Sequence, residues 1–84
     1  MPFFVYMISA TNSKRKKTYV GYTKDIKNRL TKHNAGKGAK NTKGFRWELL
    51  YKKKFISKSN AMSYEYKLKK NKKKRNEIYN NKKT

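Results

Sequence analysis

Residues 3–9 read Phe-Phe-Val-Tyr-Met-Ile-Ser, a nearly unbroken apolar run rich in β-branched and aromatic side chains. Such a run, lacking polar alternation, fits a strand covered on both faces, the centre of a sheet and not its edge. Outward from it, the polar stretch from Ala10 to Lys17 leads into Thr18-Tyr19-Val20-Gly21-Tyr22, a second β-prone run. The two predict a hairpin with a wide loop. Thr23 can cap a helix that carries Asp25 in its first turn, near the positive end of the dipole. Ile26 and Leu30 share a face and Gly36 is a natural stop, so the helix is expected over about residues 24–35.

Gly36, Gly38 and Gly44, with Lys37, Lys40 and Lys43 between them, read as a flexible basic loop without periodicity. Trp47 to Tyr51 and then Phe55 make a third strand, with Lys52, Lys53 and Lys54 at its exposed end. Ser59 can cap a second helix from Asn60 to about Lys70. From Lys72 to Thr84 only Ile78 and Tyr79 are apolar, which predicts a basic, amphipathic C-terminal helix or tail. The expected fold is α/β, a small three-stranded antiparallel sheet flanked by helices.

The chain has 84 residues, the length of one domain spanning 1–84. Only 35% of them are apolar, so the core must draw on the seven tyrosines, four phenylalanines and one tryptophan. Lys and Arg number 25 against 4 Asp and Glu, a net charge of +21 that a polyanion would neutralise. Nucleic acid is the partner this implies, although a chain using Lys for all but four of its basic residues also fits drift toward A-rich codons. With no cysteine, disulfides, thiolate zinc sites and cysteine nucleophiles are excluded. No run approaches the ~18 apolar residues of a membrane span, and the N-terminal stretch is too short for a signal peptide, so a cytoplasmic protein without membrane contact is expected.

Five residues stand out chemically. Arg29 and His33 lie four apart and stack on one helix face. Glu65 falls among Ala61, Tyr64 and Leu68, an apolar stripe on which a carboxylate is costly unless it is paired or holds a metal. Tyr6 and Tyr19 sit mid-strand, where a hairpin brings both phenols to one side, and Gly21 permits close approach of a backbone or phosphate. Taken singly, each has a plain alternative: Arg29 a solvated helix charge, His33 a residue near the helix end, Glu65 a salt bridge to lysine, the tyrosines packing.

Order and spacing together carry more. Phe4-Val5-Tyr6 and Tyr19-Val20-Gly21, then Arg29 with His33, the segment from His33 to Lys40, and Glu65 follow the sequence of motifs of the GIY-YIG endonucleases. The chain resembles their short single-domain bacterial (UPF0213-like) type, similar to the Slx-type and excision-repair nuclease cores, over roughly residues 3 to 70. Phe4 stands for the first glycine and Val20 for the isoleucine, while Asn71 lies six residues past Glu65 and is not carried over to the family's asparagine.

The resemblance implies a metal-dependent endonuclease that hydrolyses phosphodiester bonds, in DNA over RNA, single-stranded or structured, during repair, recombination or DNA processing. Glu65 would ligate Mg²⁺ (or Mn²⁺), Arg29 would hold the scissile phosphate, and His33 would orient or deprotonate a tyrosine. Tyr6 would be the general base, its phenol lowered by nearby cations, with Tyr19 its partner; the reverse assignment stays open. Lys37, Lys40, Lys43, Lys52, Lys53 and Lys54 would bind backbone phosphates, with Gly21 near the strand, and Tyr22, Phe45 and Trp47 would offer stacking faces. The rival readings are a non-catalytic basic nucleic-acid-binding module and a structural or interaction protein whose charge is drift. A homodimer or a protein partner is compatible with either.

Overall fold

The computed structural model describes residues 1–83 and forms the expected α/β arrangement. Strand β1 (Phe3–Ala10) lies between β2 (Thr18–Thr23) and β3 (Trp47–Phe55), both antiparallel to it. The continuous apolarity of β1 follows from its central place, because both of its faces are covered. Val5 and Met7 point to one side, into a core with Val20, Leu50, Ala61, Leu68 and Ile78. Tyr6 and Ile8 point to the other, where they cluster with Trp47 and with Ile26 and Leu30 of α1 (Ile26–Asn34). Helices α2 (Lys58–Lys70) and α3 (Lys72–Lys83) cover the first side.

Both helix starts differ from the sequence expectation by a small shift with a clear cause. Asp25, not Thr23, caps α1, its carboxylate accepting from the Asn28 amide at 3.0 Å. The Thr23 hydroxyl instead accepts from the Asp25 amide at 3.2 Å, a local turn that delays the helix. Ser57, not Ser59, caps α2 by accepting from the Asn60 amide at 3.1 Å, so the first turn begins two residues early. At the other end of α1, Gly36 sits at φ +78 with its amide on the His33 carbonyl and the Lys37 amide on the Lys32 carbonyl. That paired closure requires the left-handed conformation glycine supplies.

The loop after α1 is more ordered than its composition suggested. Lys40–Thr42 forms a turn of 3₁₀ helix, and Thr42 is completely buried. Trp47 Nε1 donates to the Thr42 carbonyl at 2.9 Å, and the Asn34 side chain pairs with both backbone groups of Trp47. The loop is thereby pinned between α1 and the start of β3. Asn71 ends α2 and caps α3, accepting from the Lys74 amide at 3.0 Å, so the two helices join without a linker. Of the basic C-terminal segment expected over residues 72–84, α3 accounts for all but Thr84, which lies outside the described residues. Among the described residues, no helix is long and apolar enough to cross a membrane.

Candidate active site

The hairpin register sets the site. Tyr6 pairs with Gly21 and Ile8 with Tyr19, so both tyrosines rise from the α1 side of the sheet with ring centroids 6.4 Å apart. His33, one turn past Arg29 on α1, comes down on them. Its Nε2 lies 2.8 Å from the Tyr6 hydroxyl, and its ring is 5.0 Å from that of Tyr19. On the far side of the imidazole, Nδ1 is 2.9 Å from the Thr42 hydroxyl, which in turn donates to the Ala39 carbonyl at 3.0 Å. Tyr6, His33 and Thr42 are all essentially inaccessible to solvent.

Arg29 stands over this line of groups. One terminal nitrogen donates to the Gly38 carbonyl at 3.3 Å, while Nε is buried without a protein partner. An unpaired buried guanidinium nitrogen is costly, and an anion drawn to the fork would satisfy it. Burial pushes the Tyr6 phenol up to about 12, against the pull of the Arg29 guanidinium, with Tyr19 and Glu65 adding a smaller upward push. Of the cations expected to lower the Tyr6 phenol, Arg29 does pull it down, but desolvation of the phenolate outweighs that one favourable charge. His33 moves downward from 6.5, first through burial and then through the Arg29 charge, which favours a neutral imidazole.

Glu65 lies on α2, which packs on the other face of the sheet, and reaches Tyr6 only as the last of the charges that push its phenol upward. It flanks the buried stripe of Ala61 and Leu68, with 18% of its side chain exposed, and meets Lys69 at 3.6 Å. That separation is an ion pair beyond hydrogen-bond length, so the carboxylate keeps acceptor capacity on an accessible edge. No group of three or more His, Asp or Glu side chains that could hold a metal ion gathers among the described residues, so a cation at Glu65 would meet at most a sparse set of protein donors. Magnesium tolerates that donor set because it keeps several of its own waters.

At Gly21 a Cβ would lie 2.6 Å from the Tyr6 hydroxyl oxygen and 2.8 Å from Cζ, so the missing side chain makes room for the tyrosine. Gly38 does the same for the His33 ring, whose Cγ would be 2.7 Å from an added Cβ. Lys37, Lys40 and Lys43 are exposed along the loop that carries Thr42. Lys52 pairs with Tyr6 and Lys54 with Phe4 across β1, so both emerge on the site's face, whereas Lys53 turns to the opposite face and lies over the Tyr64 ring. Trp47 is core, 4% exposed, and Tyr22 packs in the other cluster. Of the three proposed stacking faces, Phe45 remains half-exposed beside Lys17.

Three residues not singled out from the sequence belong to the site. Thr42 closes the His33 line, and Lys69 and Arg75 border an open cavity of about 330 Å³ at the β2 edge together with Tyr19 and Asn41. Arg75 is fixed by donation from Nε to the Leu68 carbonyl at 3.1 Å. Thr42 in a glycine-rich loop carries no local signal. Arg75 did, as one of four arginines, but its reach to β2 depends on the sharp joint at Asn71.

Comparison with known proteins gives the same assignment. Residues 2–80 match the model of the GIY-YIG catalytic domain. A UPF0213 protein of Oceanobacillus iheyensis is 54% identical over 52 residues, 61% of this chain and 60% of that protein. A UPF0213 protein of Staphylococcus epidermidis is 43% identical over 67 residues, 79% of this chain and 78% of its own length. The solution NMR structure of a UPF0213 protein from Bacillus halodurans superposes with a TM-score of 0.53 at 36% identity, covering 98% of this chain and 86% of that one.

Proposed function

This chain belongs to the GIY-YIG catalytic-domain family, and from that premise we propose that it is a metal-dependent endonuclease hydrolysing phosphodiester bonds in single-stranded or structured DNA. The observation that carries the reading is the Tyr6–His33 hydrogen bond of 2.8 Å, buried beneath an arginine whose Nε has no protein partner. A phenol with a raised pKa is a weak base unless its proton has somewhere to go, and neutral His33 offers that place. Tyr6 takes a proton from the attacking water as its own passes to Nε2, a transfer worth about 10² to 10⁴ in rate. Tyr19 flanks both groups and borders the open cavity.

Arg29 holds the scissile phosphate and stabilises the charge that develops on it, a contribution of about 10² to 10³ for one well-placed donor. Glu65 would hold Mg²⁺ or Mn²⁺, which when bound supplies charge neutralisation at the phosphoryl oxygens. Lys37, Lys40, Lys43, Lys52, Lys54 and Arg75 hold flanking phosphates without reading sequence.

The deciding experiment offers labelled single-stranded, duplex and branched DNA with Mg²⁺ or with EDTA to wild type, Glu65→Gln and Arg29→Ala. The expected result is metal-dependent cleavage by wild type, and variants that bind but do not cut. A wild-type chain that binds every substrate and cuts none would support the second reading, a non-catalytic nucleic-acid-binding module, which the +21 charge favours.

A further inference from the structure

We infer that Thr42 is a positioning residue that acts through His33, fixing the imidazole as the tautomer protonated on Nδ1 so that a bare Nε2 faces the Tyr6 hydroxyl. The inference rests on the catalytic reading for its consequence and on hydrogen-bond geometry for its substance. A hydrogen-bonded line runs through the site from the Tyr6 hydroxyl through the His33 ring to the Thr42 hydroxyl, ending on the Ala39 carbonyl, with the Arg29 guanidinium acting on its Tyr6 end.

The polarity of this line is fixed at its Ala39 end. At the other end Arg29 can only donate, and its guanidinium pulls the phenol downward. The Ala39 carbonyl can only accept, and at 3.0 Å it takes the single proton of the Thr42 hydroxyl. With that proton spent, Thr42 Oγ1 can only accept from His33 Nδ1 at 2.9 Å, so Nδ1 carries hydrogen. A neutral imidazole has one such hydrogen, and Nε2 is left as an acceptor 2.8 Å from Tyr6. Reversing the line would set two oxygen lone pairs against each other at Thr42 and Ala39.

The placement of Thr42 is itself held from two sides. Its carbonyl receives Trp47 Nε1 at 2.9 Å and its amide donates to the Ala39 carbonyl at 3.2 Å, and Thr42 itself has no exposed surface. The Gly38 backbone closes over the imidazole, where an added Cβ would collide with the ring. Threonine in a short basic loop thus sets the direction in which a proton can leave the tyrosine.

The test uses the full-length chain labelled with ¹⁵N, at a pH above the ordinary histidine range. His33 is the one histidine, so its two ring nitrogens are read directly from long-range proton–nitrogen correlations. Wild type is expected to show a protonated Nδ1 and a bare Nε2. Thr42→Ser keeps that pattern, while Thr42→Val, which preserves shape and removes the hydroxyl, shifts it toward Nε2 protonation. With DNA and Mg²⁺, Thr42→Val is expected to lose roughly tenfold in kcat with KM unchanged, and Thr42→Ser to restore it. A protonated Nε2 in wild type overturns the inference, as does a Thr42→Val ring with the wild-type pattern or a Thr42→Ser ring without it. Should Thr42→Val fail to fold, the wild-type and Thr42→Ser spectra still decide. A wild type with the expected tautomer that cuts no DNA refutes the nuclease reading and leaves Thr42's hold on His33 standing.

Discussion

Replacing Gly21 with alanine introduces a methyl carbon 2.6 Å from the Tyr6 hydroxyl oxygen, 2.8 Å from Cζ and 3.2 Å from Tyr19 Cε2. Ordinary contact is near 3.4 Å or more, so the Tyr6 ring must retreat by roughly 0.8 Å. A flexible side chain would do so cheaply, but Tyr6 is 2% exposed and its hydroxyl is bonded to a histidine that is itself fully buried. Overpacking of this kind costs about 1–3 kcal/mol, and disturbing the Tyr6–His33 bond adds about 1 kcal/mol. Alanine restricts the unfolded chain and returns about 0.4–1 kcal/mol. The net loss is about 2 kcal/mol, which for a chain of this size lowers Tm by about 8–16 °C in a thermal melt followed by circular dichroism. Cleavage should fall with it, because the displaced phenol no longer meets Nε2. A Gly21→Ala protein with unchanged Tm and a higher KM alone would refute this packing argument and return Gly21 to the role of admitting a phosphate.

Other expectations follow from the same geometry. Glu65→Gln should reduce cleavage by at least about 100-fold. It should change the unfolding free energy in urea by less than about 0.5 kcal/mol, since the Glu65–Lys69 contact is an i,i+4 pair with a half-exposed lysine; a large stability loss would mark Glu65 as structural. Asn34→Ala removes both side-chain bonds to the Trp47 backbone and should cost about 2 kcal/mol in the same assay. For pH, His33 is depressed in the folded state, so as pH falls below 6.5 the unfolded chain takes up a proton the native chain refuses, and stability declines. Tyr6 is raised from 10.0 to about 12, so the unfolded chain ionises first and stability falls as pH rises through that window, by up to about 3 kcal/mol. Denaturation of Tyr6→Phe beside wild type isolates its share from that of Tyr51, whose phenol is also pushed up by burial and by its hydrogen bond with Tyr64.

The fold was legible where burial pattern and backbone chemistry agree. An unbroken apolar run marked β1 as central because a strand covered on both faces has no reason to alternate, and Gly36 marked the end of α1 because the left-handed closure there needs it. The caps were displaced because Thr23 and Asp25, or Ser57 and Ser59, are chemically equivalent cap choices two residues apart. Which one wins depends on where the chain leaves the sheet, a tertiary matter. The 3₁₀ turn was hidden for the same reason: Lys40-Asn41-Thr42 has no periodic signal, and it is the Trp47 indole reaching back that organises it.

The site divides along a similar line. Glu65 was visible because a carboxylate is conspicuous in a chain with four of them, and Arg29 because arginine is rare among its lysines. Tyr6, Tyr19 and His33 were placed by spacing, since strand register and helix turn translate directly into proximity. What spacing does not carry is the sign of an environment. The same Arg29 that was expected to lower the Tyr6 phenol does pull it down, yet burial by Ile8, Trp47 and the α1 side of the sheet pushes harder, and the pKa rises. In the proposed relay a protonated phenol acts on water only as its own proton leaves toward His33. Burial lifts the tyrosine and depresses the histidine, which widens the gap that proton must cross, so the proposed transfer has to be concerted with attack of the water and leans on the imidazole orientation that we assign to Thr42.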